Sequence, residues 1–506
     1  MIFDRLGEIA AERPHDSAIY YLDNRISFNQ LNDIIDKLAC GLHRIGISKG
    51  DRVALVMPNF PHFIFSYLAV LKLGAVIVPI NYMLMPDDLN LVLNDAKPKA
   101  VIYWEGFRGI LLDFFKTYSQ PVLKLVLGRK KEFDSYELTK LIESGERESI
   151  ENVNQQDETA VIQYTAGISE PPVGAELSFG CLVERSKQFI DFYRLSPMDV
   201  FGIVLPLFMV FNQSALLFSA LYSGCAVVLQ PKLDMTLVAK SIDEQKISLI
   251  IATPSFYNKL ARIEADKFNG GSLKFCIAVQ APVTAEVSDV FERRFKFPLS
   301  SGYALTEAGG IVAATHPVFE NVVGSVGAPF SGIDMRIHDQ HGEQVATDEL
   351  GEIAIRNSGL FSGYWGNEQL TAARVRNGWF YPGDLGKRNM DNSISFIERK
   401  LNVIAKSGFM IISSEIEQIL QQHPKVKEAA VVSVPHPKHK EDVMAVIVAE
   451  ENQTLTEQEI FQFCREQFPV YKCPQSIRFL SELPRSRMGK VLKRLLKSEI
   501  NYTQQS

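Results

Sequence analysis

Between Asp51 and Ser255 the chain repeats a pattern that few architectures satisfy. Short apolar runs rich in β-branched residues, "DRVALVMPN", "GAVIVPI", "KAVIYW", "LKLVLG", "CAVVLQP" and "LIIATPS", alternate with stretches of helical period. Runs this continuously apolar suit strands covered on both faces, and strands separated by helices pair in parallel. The expectation is an α/β fold with a large N-terminal domain of layered α/β subdomains. From about Gly324 the texture changes: "GIDMRIHDQHGEQVATDELGEIAIRN" sets polar turns between alternating strands, a small and more antiparallel β unit. Beyond "ERKLNV" (Glu398–Val403), "SSEIEQILQQHPKVKEAAVVSVPHP" reads helix then strand and "VMAVIVAE" reads strand. "LTEQEIFQFCREQF" reads as a helix started by Thr454. Roughly a hundred residues suffice for a separate domain. The division expected is therefore 1–398 and 399–506, the second a small, mobile α+β domain.

Composition excludes several classes. A chain of 506 residues exceeds one compact core. With 46% hydrophobic and 22% charged residues it is not a disordered protein. A net charge of −6 and a pI near 5.9 argue against nucleic acid as a partner. Six cysteines without CxxC spacing suit reduced thiols. The opening "MIFDRLGEIAAERPHD" lacks an apolar signal core, so a cytoplasmic location is expected. Two long apolar stretches are poor membrane spans, because Lys72 and Gly74 divide Phe63–Ile80, and Pro206 and Asn212 break Ile203–Gly224.

Four segments carry chemistry. "YTAGISEPPVGAELS" (Tyr164–Ser178) follows a strand-like run with the small residues Ala166 and Gly167, as a loop needs when backbone N–H groups approach an anion. Yet Glu170 is negative there, and Val173 stands where such a loop would carry lysine. "SSGYALTEAGG" (Ser301–Gly310) places Tyr303, suited to stacking on a base, beside Thr306 and Glu307, hard oxygen ligands suited to a magnesium-bound polyphosphate. "NGWFYPGDLG" isolates Asp384 in a Gly-Asp turn, where a carboxylate can take two hydrogen bonds from a ribose diol. "RSRMGKVLKR" offers Lys490 among other cations. Taken singly, each segment also suits an ordinary turn or a solvated surface.

Their order and spacing resemble the AMP-forming acyl-CoA synthetase family within the adenylate-forming superfamily. The N-terminal signature is similar to "ISFNQLNDIIDKLACGLHRIGISKGDRVALVMPN" with "GAVIVPIN". "LGEIAIRNSGLFSGYW", "GWFYPGD", "ERKLNVIAKSGFMIISSEIE" and "YKCPQSIRFLSELPRSRMGK" follow in family order. The resemblance implies that ATP activates a carboxylic acid to an acyl-adenylate with release of pyrophosphate. A thiol, coenzyme A or the pantetheine arm of a carrier protein, then takes the acyl group. It also implies roles. Thr165, Gly167, Ser169 and Gly174 form the phosphate loop, while Tyr303 and the strip Ala281-Pro282 enclose adenine. Thr306 and Glu307 serve phosphate and Mg2+, and Asp384 and Arg399 hold the ribose. Lys490 bridges carboxylate and α-phosphate, placing positive charge where negative charge gathers during attack. The C-terminal domain turns about Leu401, and Ser407-Gly408 border the thiol tunnel. A catalytically impaired relative that only binds nucleotide or acyl ligand is the rival reading, and a homodimer is left open.

The departures from the family pattern are specific. Ala166, Ile168, Glu170 and Val173 replace Ser, Thr, Gly and Lys of the phosphate loop. In "LPLFMVFN", Met209 replaces the usual His, with Phe208 beside it. Val279-Gln280 and Ala304 replace glycines, and Leu401-Asn402 replace hinge residues that are usually charged. A lost charge-assisted contact is worth roughly 1.5–3 kcal/mol. Glu170 facing a triphosphate near 4 Å would add about 4 kcal/mol of repulsion at an effective dielectric near 20. The bulkier residues at 279, 280 and 304 crowd the acyl channel, so a short, branched or ring-containing acid is expected.

Overall fold

The computed structural model describes residues 2–128, 134–145, 155–167, 170–318, 324–406, 409–436, 440–486 and 489–497. The β-rich runs of the sequence are strands of two sheets. In the first, the spatial order is Tyr136–Glu137, Leu123–Leu127, Ala100–Trp104, Arg52–Val56, Val76–Pro79, Thr159–Tyr164, Gly174–Ser178. Neighbours are parallel except the last two strands, which form an antiparallel hairpin. That hairpin carries the glycine-containing loop.

The second sheet changes character along its width. Ser17–Tyr21, Ala226–Leu229, Val200–Ile203, Leu249–Ala252, Phe275–Ala278 and Ser300–Leu305 pair in parallel. Ser300–Leu305 then pairs antiparallel with Gly310–Ala314. Antiparallel pairing continues through Ser325–Pro329, Ile394–Arg399, Asp384–Arg388 and Gly351–Arg356. Tyr303 therefore lies on the strand where pairing changes from parallel to antiparallel.

Both apolar stretches are interior. Phe63–Ile80 is the helix Pro61–Lys72 followed by the strand Val76–Pro79. Pro61 occupies the first helical turn, where its missing N–H leaves no bond unmade, and Lys72 pairs with Asp36 of the helix Phe28–Arg44. Ile203–Gly224 runs from the strand Val200–Ile203 into a π-helical stretch, Asn212–Phe218, and a short helix closed by left-handed Gly224. Among the described residues no helix is long and apolar enough to cross a membrane.

After Arg399 a second body forms around its own sheet, in the order Phe409–Ile412, Val403–Lys406, Lys440–Ala449, Val426–His436, with Ser476–Phe479 beside Lys440–Ala449. Its apolar side chains, from Ile404 to Leu496, cluster apart from those of the preceding chain. One start signal differs from expectation. The helix Glu457–Gln467 is capped by Thr456, not Thr454: Thr456 Oγ1 accepts from Glu459 N, and the Glu459 carboxylate returns to Thr456 N. Thr454 lies two residues too early for that exchange, and its carbonyl accepts from Lys425 instead.

Candidate active site

The strand Ser300–Leu305 ends in a tight turn, Gly309 N donating to Thr306 O at 3.1 Å. Gly309 and Gly310 follow with φ of +66° and +139°, values that disfavour side chains. Tyr303 is buried, and its hydroxyl donates to Asp384 Oδ2 at 2.5 Å. Asp384 is 1% exposed and lies opposite Arg399 across two antiparallel strands, with Arg399 Nε 3.3 Å from Oδ1. Burial raises the Asp384 carboxyl above its ordinary pKa, against the pull of Arg399 and the Tyr303 hydroxyl. Burial works against the Arg399 charge, but Asp384, Tyr303 and Glu307 hold its pKa above the ordinary value. Asp384 Oδ1 receives no hydrogen bond from the described residues. A buried carboxylate oxygen of that kind is short of a donor, which is what a hydroxyl of a sugar diol supplies.

Beyond that turn, Glu307 is fixed twice. Its carbonyl accepts from Phe361 N at 2.8 Å, and its Oε1 accepts from the Tyr364 hydroxyl at 2.7 Å. Tyr364 also bridges to Ala175, and Trp365 N donates to Gly174 O at 2.8 Å. The segment 361–365 thus clamps the Glu307 turn to the loop hairpin. Gly174 lets the two strands of the hairpin pack closely, because a Cβ there would lie 2.7 Å from Ile162 Cγ2, and that Cβ would meet Trp365 Cβ at 3.4 Å. Behind the turn, fully buried Arg185 donates from Nε to Ala308 O at 2.9 Å and from its other nitrogens to Gln188, Asn357 and Gly359 O. Tyr364 and Arg185 were not singled out from the sequence. Tyr364 lies inside the conspicuous block "LFSGYW", and that was its only signal.

The loop itself closes through Thr165, whose N donates to Val173 O and whose Oγ1 accepts from Val173 N at 3.0 Å. Val173 packs on the apolar core. Gly167 has φ +65°, and its carbonyl accepts from Arg494 Nε at 3.0 Å. Arg494 also pairs with Asp88. Ser169 lies outside the described residues. Glu170 is held by Arg374, with Nη2 3.2 Å from Oε2.

Lys490 reaches this place from the far end of the chain. It lines one cleft with Met83, Met85, Ala166, Gly167 and Gln280. Burial, with the Arg399 charge second, brings its amine down to about 8. Near the expected hinge, Leu401 is exposed in a single turn, Lys400–Asn402. Buried Glu398 accepts from Arg399 N, Asn402 Nδ2 and Ser414 N, tying both sides of that turn together. Ser407 and Gly408 lie outside the described residues.

The crowding residues separate. Gln280 has φ +73° and turns its amide to Met209, Nε2 lying 3.4 Å from Sδ. Val279 is fully buried, and Ala304 is half-buried. Phe208 packs edge-on to Tyr82 at 5.2 Å, and its carbonyl accepts from Gln163 and Gln213. Ala281 and Pro282 are exposed. Of this set, Gln280 borders the Lys490 cleft directly, with Met209 as its side-chain partner.

Residues 6–365 match the family model described as AMP-binding enzyme, and residues 415–490 match AMP-binding enzyme C-terminal domain. The chain is 28% identical to a long-chain-fatty-acid–CoA ligase of Bacillus subtilis (strain 168), over 98% of this chain and 93% of the relative. It is 27% identical to a feruloyl-CoA synthase of Amycolatopsis sp, over 95% of each. ATP-bound MatB from Rhodopseudomonas palustris has the same fold, with a TM-score of 0.87, 25% identity and 98% of each chain covered.

Proposed function

The chain belongs to the AMP-binding enzyme family, and from that membership we propose how its residues divide the work of an ATP-dependent acid–coenzyme A ligase. Such an enzyme activates a carboxylic acid to an acyl-adenylate, releases pyrophosphate, and then forms the coenzyme A thioester. The observation that carries the residue assignment is Lys490 entering one cleft with Gly167 while its charge interacts with Arg399.

Asp384, with Oδ1 short of a donor, takes a ribose hydroxyl, and Arg399 balances its charge. Tyr303 borders adenine and holds Asp384 in place. Thr306 and Glu307 are oxygen donors of the kind magnesium prefers, and Tyr364 orients the Glu307 carboxylate. Held by these residues, magnesium would supply charge neutralisation for the leaving pyrophosphate. During attack, Lys490 holds the acid's carboxylate against the α-phosphate and stabilises the charge that collects between them. In thioester formation the coenzyme A sulfur attacks the acyl carbon and AMP leaves, after the C-terminal domain turns near Leu401.

The acid is short, branched or ring-containing, because Gln280 and Met209 meet beside the Lys490 cleft. Acid-dependent pyrophosphate release, followed by AMP release on addition of coenzyme A, tests the reaction. Turnover of hexanoate or benzoate in preference to palmitate is expected. Robust turnover of palmitate with neither of the others would overturn the size assignment.

A further inference from the structure

The phosphate loop contains a charge problem and, 204 residues away, what answers it. From Thr159 to Gly174 the chain carries no lysine or arginine, and Glu170 is its one acid. Val173, at the position where a cation would serve a triphosphate, packs on the core. The nearest arginine to the acid is Arg374, the last residue of the helix Glu368–Arg374, which pairs with Glu170 at 3.2 Å.

Arg374 is also pressed against the nucleotide site from its other side. A Cβ added to Gly383 would lie 2.5 Å from Arg374 Nη1, so the residue before Asp384 must leave room for the guanidinium. The backbone holds the arginine's base in place, with Tyr381 N donating to Arg374 O at 2.8 Å. Its charge acts on Asp384 and on Tyr364, the phenol that holds Glu307. The guanidinium thus lies between Asp384 and the phosphate loop.

We propose that Arg374 is a phosphate-binding residue, whose guanidinium exchanges Glu170 for the β- and γ-phosphates of ATP and supplies the positive charge absent at Val173. This rests on the ligase reading of the site. The exchange is favourable in kind. The Glu170 side chain is 55% exposed and that of Arg374 23% exposed, so the pair is weakly held. A phosphate group offers the planar fork of arginine two parallel hydrogen bonds and more charge. Before ATP arrives, Glu170 keeps the arginine pointed at the loop; once the guanidinium has moved to the phosphates, the exposed carboxylate turns to solvent.

The test is calorimetric binding of Mg–ATP and of AMP to the full-length protein and its Arg374→Ala, Arg374→Lys and Glu170→Gln variants. Arg374→Ala is expected to weaken ATP binding at least tenfold and leave AMP within twofold. Arg374→Lys should recover part of the loss. Glu170→Gln, which frees the arginine, should leave ATP binding equal or tighter. If both alanine and glutamine variants weaken ATP and AMP alike, the pair is only a structural latch and the proposal fails. Should Arg374→Ala not fold, weaker ATP binding by Glu170→Gln alone contradicts the exchange. Wild-type protein that binds neither nucleotide would overturn the ligase reading too, whereas wild-type binding with no selective loss in the variants overturns Arg374 alone.

Discussion

Tyr303 and Asp384, 81 residues apart, meet in the interior with the phenol donating to the carboxylate at 2.5 Å. The bond joins the strand where the second sheet changes direction to the turn after Gly383. In the proposed assignment, this bond sets the aromatic wall for the base and the acid for the sugar as one unit.

Tyr303→Phe keeps the ring and removes the donor, leaving a buried carboxylate oxygen short of a partner. Such groups cost about 1–3 kcal/mol. Urea unfolding should register that loss, and AMP affinity should fall in parallel. An unchanged midpoint with unchanged AMP binding would mean the bond neither supports the fold nor sets Asp384.

Lys490 fixes a pH dependence. Its amine is brought down to about 8 by burial and by Arg399, so the free enzyme loses that positive charge as pH rises through this value. The kcat/KM for ATP should therefore decline above about pH 8. Lys490→Arg, if it retains turnover, should lose that alkaline limb, because arginine stays charged. The same shift has the opposite sign for stability. The unfolded lysine, near its ordinary value of about 10.4, binds the proton more tightly, so this group's contribution to folding improves from about pH 8 upward.

Gln280 adopts a left-handed backbone, φ +73°, that disfavours a side chain by roughly 1–2 kcal/mol. Gln280→Gly removes that strain, but the freer unfolded chain offsets it by about 0.5–1 kcal/mol. Net stability should rise by no more than about 1.5 kcal/mol. The Met209 contact disappears, so kcat/KM should shift at least tenfold toward longer acids. No shift in a chain-length series would remove Gln280 from the acyl channel.

Arg185→Met should be far more damaging. It leaves the Ala308 carbonyl and Gln188 Oε1 without their buried donor, at about 1–3 kcal/mol each, while Gly359 O keeps Cys181 Sγ. A loss of about 3 kcal/mol in urea unfolding is expected, and a loss below about 1 kcal/mol would contradict the clamp.

Strands such as Arg52–Val56 and Leu249–Ala252 were legible because buried parallel strands demand uninterrupted β-branched runs. Tyr303, Glu307, Asp384, Arg399 and Lys490 could be named because each lies in a short block whose order along the chain carries information. Arg374, Tyr364, Arg185 and Glu398 could not. Their roles depend on partners 204, 57, 123 and 16 residues away, and no local periodicity records such pairings. Glu170 shows the consequence: alone it reads as repulsion toward phosphate, and its pairing with Arg374 is visible only in the fold. Thr456 was missed for a smaller reason, since two threonines precede the helix and only the reciprocal bond with Glu459 selects between them.

Acid-dependent pyrophosphate release with ATP and magnesium, compared between the wild type and Lys490→Ala, bears most directly on the assignment of the site. The wild type should release pyrophosphate with at least one short, branched or ring-containing acid. The folded variant should lose that release by a hundredfold or more while still binding AMP. Equal release from both proteins would contradict the role given to Lys490 and with it the way the C-terminal domain completes the site.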